Sequence, residues 1–432
     1  MSADAHETSV AGKENNPRDP GGSGFLRAFG NGVITGAADD DPSAIGTYAS
    51  AGARFGLGFL WIAPLLLPMM YAVVYLSAKV GQVCGQGLFA AIRDHYPKRV
   101  LYPMLLGAVA GNVIEAAADL GGIAAALNIF VPVSIPVLVT AVAIIIVGLQ
   151  YLGSYYLLRR IFRWLALALL AYFAAAVLAK PDPVEVLRST FLPRPELTRE
   201  YLSMIVACIG TSLSAYIYTW QSNQEVEEKI AAGRQRQRAT STELRRTRRD
   251  VVIGMTFSNA ILYFILLSTG STLHPAGVTD IQSAAQAARA LTPLAGEAAG
   301  LLFALGVVGV GFLAVPVMTT GAAYDVVQCA RKKGTLHAKP HEAKLFYATI
   351  AAVTALAVGL NFLGFNPMKA LVWSGIVQGF SVPPLLLLIM LLTNRRDVMG
   401  EKVNGKVANV LGWTTTAATF AATAALVATW FA

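Results

Sequence analysis

Apolar residues run along the chain in blocks of about 20, long enough for a helix to cross a ~30 Å hydrocarbon layer. Short polar stretches rich in Lys and Arg separate the blocks. A transmembrane β-barrel would instead show ~10-residue segments of alternating polarity, and that pattern is missing. The blocks predict helices over roughly 24–53, 58–80, 101–127, 131–158, 161–179, 200–226, 250–273, 297–328, 343–363, 369–392 and 408–431. The expected class is therefore an all-α membrane protein with eleven transmembrane helices. Residues 1–22 are polar and rich in Gly, Pro and Asn, and they are expected to form a disordered cytoplasmic tail. They contain no apolar core followed by a small-residue cleavage site, so they do not read as a secretory signal.

Composition supports this class. Of 432 residues, 55% are hydrophobic and 14% charged, against about 25% charged in a soluble domain. The charges that remain are ordered. Basic residues sit after the second helix (Arg93, Lys98, Arg99), the fourth (Arg159, Arg160, Arg163) and the sixth (Lys229, Arg234, Arg236, Arg238, Arg245, Arg246, Arg248, Arg249). They return after the eighth (Arg331, Lys332, Lys333, Lys339, Lys344) and the tenth (Arg395, Arg396, Lys402, Lys406), while the other loops are nearly neutral. Positive loops stay cytoplasmic, which predicts a cytoplasmic N-terminus, an outside C-terminus and a multi-pass place in the cell membrane. The net charge of +9 is thus mostly topology. It suits anionic lipid headgroups better than nucleic acid. Cys84, Cys208 and Cys329 are far apart and suggest packing rather than a disulfide framework or a zinc site. Neither a nucleophile triad, an HExxH motif nor a phosphate loop is present, so no enzyme activity and no cofactor are expected.

Two helices read as interrupted. In the first, "TGAADDDPSAIGTY" sets Asp39, Asp40 and Asp41 before Pro42. An acid followed by proline is the pattern of an N-cap and the first helical position. An ionised acid at mid-membrane costs about 2.5–3.5 kcal/mol, and Ser or Asn would cap without it, so the charge calls for a partner. A solvated interfacial loop is the plainer alternative. In the sixth helix, "MIVACIGTSLSAYIYTWQ" clusters Gly210, Thr211, Ser212 and Ser214, which fits a second break or small-residue packing. Breaks five helices apart point to inverted five-helix repeats with a substrate site between them. The repeats would span about 24–180 and 200–392 of a membrane domain at 23–432, with 408–431 as an extra helix.

These residues also resemble a family. "DPSAIGTYASAGARFG" looks like the first-helix motif of the NRAMP (natural-resistance-associated macrophage protein) divalent-metal transporters, whose pattern begins Asp-Pro-Gly-Asn. "LSAKVGQVCGQGLFAAIRDHYP" is similar to that family's second helix, and "DVVIGMTFSNAILYFILLSTGSTLHPAG" to its seventh. The resemblance covers about residue 24 to the C-terminus and implies an inverted-repeat fold with proton-linked metal uptake. Its Asp and Pro fall on Asp41 and Pro42, its Gly on Ser43, and its metal-binding Asn on Ala44. The family's Met-Pro-His in the sixth helix falls on Ser214, Ala215 and Tyr216. Its carbonyl ligands fall on Ala38 and Thr211. The implied metal set is then Asp41, Ser214, Ala38 and Thr211, all oxygen, which suits hard ions such as Mg²⁺, Mn²⁺ or Ca²⁺ better than soft ones. The resemblance thus marks a divergent branch importing divalent ions of the Mn, Mg or Fe class. A same-fold symporter for an organic solute or amine is the alternative.

Glu115 and Asp119 in "GNVIEAAADLGG" are four apart and share a helix face. Asp119 matches the second acid of a family pair. Both read as a proton relay, or Glu115 as the structural partner of a base. Asp40, Tyr216 and Gln378 complete the expected surroundings, Gln378 standing one turn beyond Gly375, where the family has Gln. "QEVEE" (Gln224–Glu228) would either attract cations or balance nearby arginines. His337 and His341 lie in a basic loop and read as solvated, and His274 matches a family histidine.

Overall fold

The computed structural model describes residues 31–152, 169–231, 233, 239–332, 334–335 and 338–431. The tail 1–22, the predicted helix starts at 24 and 161, Arg159, Arg160, Arg163, Arg234, Arg236, Arg238, Lys333 and His337 lie outside them. Among the described residues every regular element is helical. The main helices are α1 (Asn31–Asp39), α2 (Pro42–Phe55), α3 (Ile62–Cys84), α4 (Leu88–His95), α5 (Lys98–Asn128), α6 (Ile135–Leu152), α7 (Leu170–Leu178) and α8 (Pro183–Phe191). They continue with α9 (Arg199–Ser212), α10 (Ala215–Ala231), α11 (Ser241–Thr272), α12 (Ala299–Cys329), α13 (Lys344–Asn361), α14 (Pro367–Asn394) and α15 (Lys406–Ala428). Eight helical stretches among the described residues are long and apolar enough to cross a bilayer, while α6 is shorter. Their outward faces carry bare apolar side chains, with Leu106 70%, Ile144 67% and Leu356 60% exposed, as helices bathed in lipid require.

Both interruptions are present. The first segment is split into α1 and α2 around Asp40 and Asp41, and the sixth into α9 and α10 at Leu213 and Ser214. The two broken segments pack in a reciprocal way: α2 lies along α11 and α10 lies along α3. The first halves come closest to their neighbours where glycine removes the side chain. A Cβ on Gly36 of α1 would stand 2.3 Å from the Gly254 carbonyl of α11, and one on Gly210 of α9 would stand 1.8 Å from the Gly375 carbonyl of α14. Small residues at such crossings let backbones touch, which is how helices gain packing in lipid.

The structure corrects one boundary and adds two short helices. The seventh helix starts at Ser241, not near 250. A capping box explains it: the Thr240 hydroxyl accepts from the Glu243 N–H at 3.1 Å, and the Glu243 carboxylate accepts from the Thr240 N–H at 2.7 Å, satisfying two otherwise orphaned donors. Arg245, Arg246, Arg248 and Arg249 are therefore exposed on the first turns of α11 rather than in a loop, while Leu244, Thr247 and Val251 turn inward. The short helices α4 and α8 lie between the spans, and the apolar periodicity did not announce them.

Candidate functional site

The break in the first segment follows directly from its sequence. Asp41 is the N-cap of α2, and its Oδ1 accepts the Ala44 N–H at 2.6 Å with Pro42 at the helix start. A carboxylate here faces the positive end of the helix dipole. Its other oxygen, Oδ2, lies 2.8 Å from the Tyr216 hydroxyl, and that hydroxyl is also 2.8 Å from the Ala38 carbonyl. One phenolic proton thus serves two acceptors, so three oxygens from both breaks gather at one point.

The second break is organised by α5. Ser214 donates its hydroxyl proton toward Glu115 Oε1 at 2.7 Å and also sits 2.9 Å from the Gly210 carbonyl and 3.2 Å from that of Thr211. Gln378 donates Nε2–H to Glu115 Oε2 at 2.7 Å, and the Ser381 hydroxyl donates to Gln378 Oε1 at 2.9 Å. One turn along α5, Asp119 Oδ1 accepts the Ser43 N–H at 2.9 Å and the Ser43 hydroxyl at 2.8 Å. The acid pair on one helix face therefore divides its work: Asp119 holds the start of α2 and Glu115 holds the residue between α9 and α10. No basic side chain pairs with Glu115 among the described residues, so its partners are Ser214 and Gln378.

Asp41, Ala38 and Tyr216 thus meet in one cluster, and Ser214, Thr211, Glu115 and Gln378 in an adjoining one, with all of these residues buried. Asp40 stands apart. Its Oδ1 and the Oδ2 of Asp39 both lie 2.8 Å from the single hydroxyl of Ser258 on α11. Among the described residues no three His, Cys, Asp or Glu side chains converge as a metal cluster, so any cation held at Asp41 relies on one carboxylate with neutral oxygens.

Among the described residues this cluster is closed off from solvent at both ends. Beyond Pro42 lies a cavity of only about 10 Å³, lined by Ile45, Gly46, Gly122, Phe303 and Leu371 among others. That is barely room for one water. Farther out, Arg54, ion-paired with Glu200 at 3.2 Å, borders a cleft of about 250 Å³ with Asp280, Lys369 and Trp373. Toward the basic-loop end, Thr35 of α1 hydrogen-bonds Gln221 of α10, and Gln221 donates to Glu225 Oε1 at 2.8 Å. Gln82 of α3 and Thr247 of α11 hydrogen-bond the other oxygen of Glu225. Glu225 is buried and neither faces solvent nor pairs with an arginine among the described residues. Its role is to tie the two broken segments to α3 and α11. His274 likewise has a local role, its Nδ1 2.9 Å from the Ala53 carbonyl, and His341 is exposed beside Glu342.

Sequence reasoning missed Ser258, Ser374 (2.9 Å from Ser43 Oγ) and Asp325, a fully buried acid on α12. An isolated acid in an apolar run was the available signal for Asp325. The serines have none, since only tertiary contact gives them meaning.

Glu115 accepts from two buried donors, and Ser214 can fall back on the Gly210 carbonyl while Gln378 cannot, so Glu115→Ala should strand the Gln378 amide and cost about 1–3 kcal/mol for that unsatisfied donor. Glu115→Gln keeps one acceptor oxygen. Thermal unfolding of purified protein should place Ala below Gln and Gln at or below wild type. An Ala variant as stable as wild type would contradict the contact.

Several known proteins share this architecture. The family model described as natural resistance-associated macrophage protein-like matches residues 32–429. The divalent metal cation transporter MntH of Klebsiella pneumoniae (strain 342) is 27% identical over 379 residues, covering 86% of this chain and 87% of that protein. Among solved structures, an Eremococcus coleocola manganese transporter, in complex with an aromatic bis-isothiourea substituted compound, superposes with a TM-score of 0.72 at 16% identity, covering 96% of this chain and 90% of its own. Mhp1, a nucleobase-cation-symport-1 family transporter, matches at a TM-score of 0.58 and 13% identity, with 93% of each chain covered. With nearly its whole length matched by the family model, the chain belongs to the natural resistance-associated macrophage protein-like (Nramp) family.

Proposed function

We propose that this chain is a secondary active transporter that imports divalent metal cations of the hard class, Mg²⁺ and Mn²⁺ before Fe²⁺, by alternating access with proton linkage. One observation carries the reading: a single buried carboxylate, Asp41, meets the Ala38 carbonyl and the Tyr216 hydroxyl at a helix break, with no sulfur or imidazole in the cluster. Such a set offers oxygen alone. Mg²⁺ and Mn²⁺ accept oxygen ligands, and Mg²⁺ keeps several of its waters. The Ser214 hydroxyl gives its proton to Glu115, which leaves its lone pairs for a cation or a cation-bound water. The relatives named for divalent metal cations and for manganese support the same class of cargo.

The closure at both ends supports an occluded stage of alternating access. The tight packing beyond Pro42 favours an ion over an organic solute. Proton linkage is proposed through Glu115 and Asp119, because each acid holds one break. A change in protonation there would loosen the break it holds. The reciprocal packing of α2 on α11 and α10 on α3 supports two repeats at about 24–180 and 200–392, with 408–431 outside them and eleven spans in all. The N-terminus is proposed to be cytoplasmic and the C-terminus outside, in the cell membrane, with basic loops against anionic headgroups.

Asp41→Asn keeps the cap on Ala44 and removes the charge. Mn²⁺ uptake into proteoliposomes should fall at least about 100-fold, a loss of transition-state or binding stabilisation near 2.7 kcal/mol, with the protein still folded. Uptake at the wild-type rate would remove Asp41 from the site.

Selectivity provides a second test. In competition assays, Mg²⁺ and Mn²⁺ should compete at similar concentrations with little advantage for Cd²⁺. Ser214→Met, by introducing a thioether, should shift preference toward Cd²⁺ and Fe²⁺ and weaken Mg²⁺. A wild type that already prefers Cd²⁺ strongly would contradict the oxygen-only site.

Orientation is tested by labelling. A cysteine introduced near residue 240 should be shielded from an impermeant thiol reagent in intact cells, and one added after Ala432 should react. The opposite pattern would invert the topology.

A further inference from the structure

Asp325 lies one turn from the basic-loop end of α12 and is fully buried. Neither of its carboxyl oxygens receives a well-formed hydrogen bond among the described residues, although the Thr219 hydroxyl lies close enough to interact with it. No Lys or Arg side chain pairs with it there either. Arg93, the arginine bound to this end of α12, is engaged with Asp94 at 2.8 Å and with the Gln328 carbonyl. An uncompensated buried carboxylate costs several kcal/mol, so a chain that keeps one in this position gives it something positive to meet.

Its surroundings are neutral oxygens. The Tyr218 hydroxyl on α10 lies within electrostatic reach of Asp325, is buried and has no hydrogen-bond partner among the described residues. The Thr219 hydroxyl stands beside Asp325, held at 3.3 Å by the Tyr216 carbonyl. Gly321 is one turn earlier on the same face of α12. A Cβ there would sit 3.7 Å from Thr219 Oγ1 and 4.0 Å from the Tyr216 carbonyl. Asp325 therefore continues the face of α12 that abuts the backbone of Tyr216, the residue whose hydroxyl touches Asp41. On α5, which packs against α12, Asn112 lies three residues before Glu115 on the same helical face. Both of its amide atoms are likewise buried and unpartnered among the described residues. Asp325, Tyr218 and Asn112, each with polar atoms lacking a hydrogen-bond partner among the described residues, thus lie on the basic-loop side of the Asp41 cluster.

We propose that Asp325, with the hydroxyls of Tyr218 and Thr219, forms a second binding site for the divalent cation, occupied between Asp41 and the basic-loop end. The donor set repeats the chemistry at Asp41: one carboxylate, otherwise neutral oxygen, no sulfur. It suits an ion that arrives with part of its water shell. A cation leaving Asp41 exchanges one carboxylate for another instead of crossing the apolar interior unpaired, and the Glu225 ties must open before it can pass on. This inference rests on the metal-transport reading above.

The test combines flux and binding, with Mn²⁺ as the probe. In proteoliposomes, Asp325→Asn should lower maximal Mn²⁺ uptake by about tenfold while KM shifts by less than about twofold, since loading at Asp41 is untouched. Tyr218→Phe, which removes one oxygen with little change in volume, should give a smaller loss in the same direction and guards against misfolding of the Asn variant. In detergent, electron paramagnetic resonance should show that Asp41→Asn protein retains weak Mn²⁺ binding and that the Asp41→Asn, Asp325→Asn double variant loses it. Wild-type flux in both Asp325→Asn and Tyr218→Phe would overturn the proposal. So would a flux loss that abolishes the pH dependence of uptake while the residual Mn²⁺ binding persists in the double variant, because Asp325 would then carry a proton instead. If the wild type takes up no Mn²⁺ but the residual binding still disappears in the double variant, the transport reading fails and the second cation site stands.

Discussion

A helix broken inside a bundle bares backbone N–H and C=O groups where no water reaches them, and each unsatisfied group in a bilayer costs several kcal/mol. The first break of this chain meets that demand with carboxylates, and the second with the Ser214 hydroxyl beside the Gly210 carbonyl, itself held by Glu115. Asp41 accepts the Ala44 N–H, Asp119 accepts the Ser43 N–H, and Glu115 takes the hydroxyl of Ser214, the residue between α9 and α10. Two of the three acids stand one turn apart on α5, which runs unbroken from Lys98 to Asn128. One rigid rod therefore sets the distance between the breaks. Asp41, which satisfies the start of α2, is also the carboxylate of the proposed cation site, so stability and the proposed function draw on one side chain.

The half-helices are also held at their far ends, by unequal means. At the basic-loop end, Thr35, Gln221, Glu225, Gln82 and Thr247 form a buried hydrogen-bonded chain across four helices. At the other end, Arg54 and Glu200 form an ion pair with side chains 40% and 66% exposed. Exposed pairs contribute about 0–1 kcal/mol and are weakened by salt, whereas hydrogen bonds in a buried network are electrostatically stronger than in water. In this conformation the basic-loop end is the more firmly shut of the two. Asp94 on α4, just outside the spans, is held below the usual carboxylate range by its hydrogen bond to Arg93 with Arg331 nearby, and so stays ionised and keeps Arg93 at the end of α12.

Three adjacent aspartates perform different tasks because the chain changes direction between them. Asp39 ends α1 and Asp41 caps α2. Asp39 and Asp40 face one serine of α11, while Asp41 turns toward Tyr216. Ser258 has one proton for two carboxylates, so only one of them can receive it at a time. The smallness of Gly36 and Gly210 lets the first halves of both broken helices sit close against α11 and α14, and that closeness brings the breaks within reach of α5.

The sequence by itself determined the helical membrane class, the placement of most spans, both interruptions and the Asp41–Pro42 cap. These are local matters: apolar length, the missing N–H of proline, and an acid one residue before a helix start. The i,i+4 spacing also established that Glu115 and Asp119 share a face. Which break each acid would hold was beyond it, as was the burial of Glu225 amid Gln82, Gln221 and Thr247, since those partners are 143, 4 and 22 residues away. The start of α11 at Ser241 was hidden by its polar first turns, where a capping box and not apolar length sets the boundary. Asp325 looked like an isolated polar residue in an apolar run. Only the packing of α12 on α10 put it near Thr219 and Tyr218 with no Lys or Arg partner among the described residues, because charge pairing in a bundle is decided by which faces meet and not by neighbours along the chain.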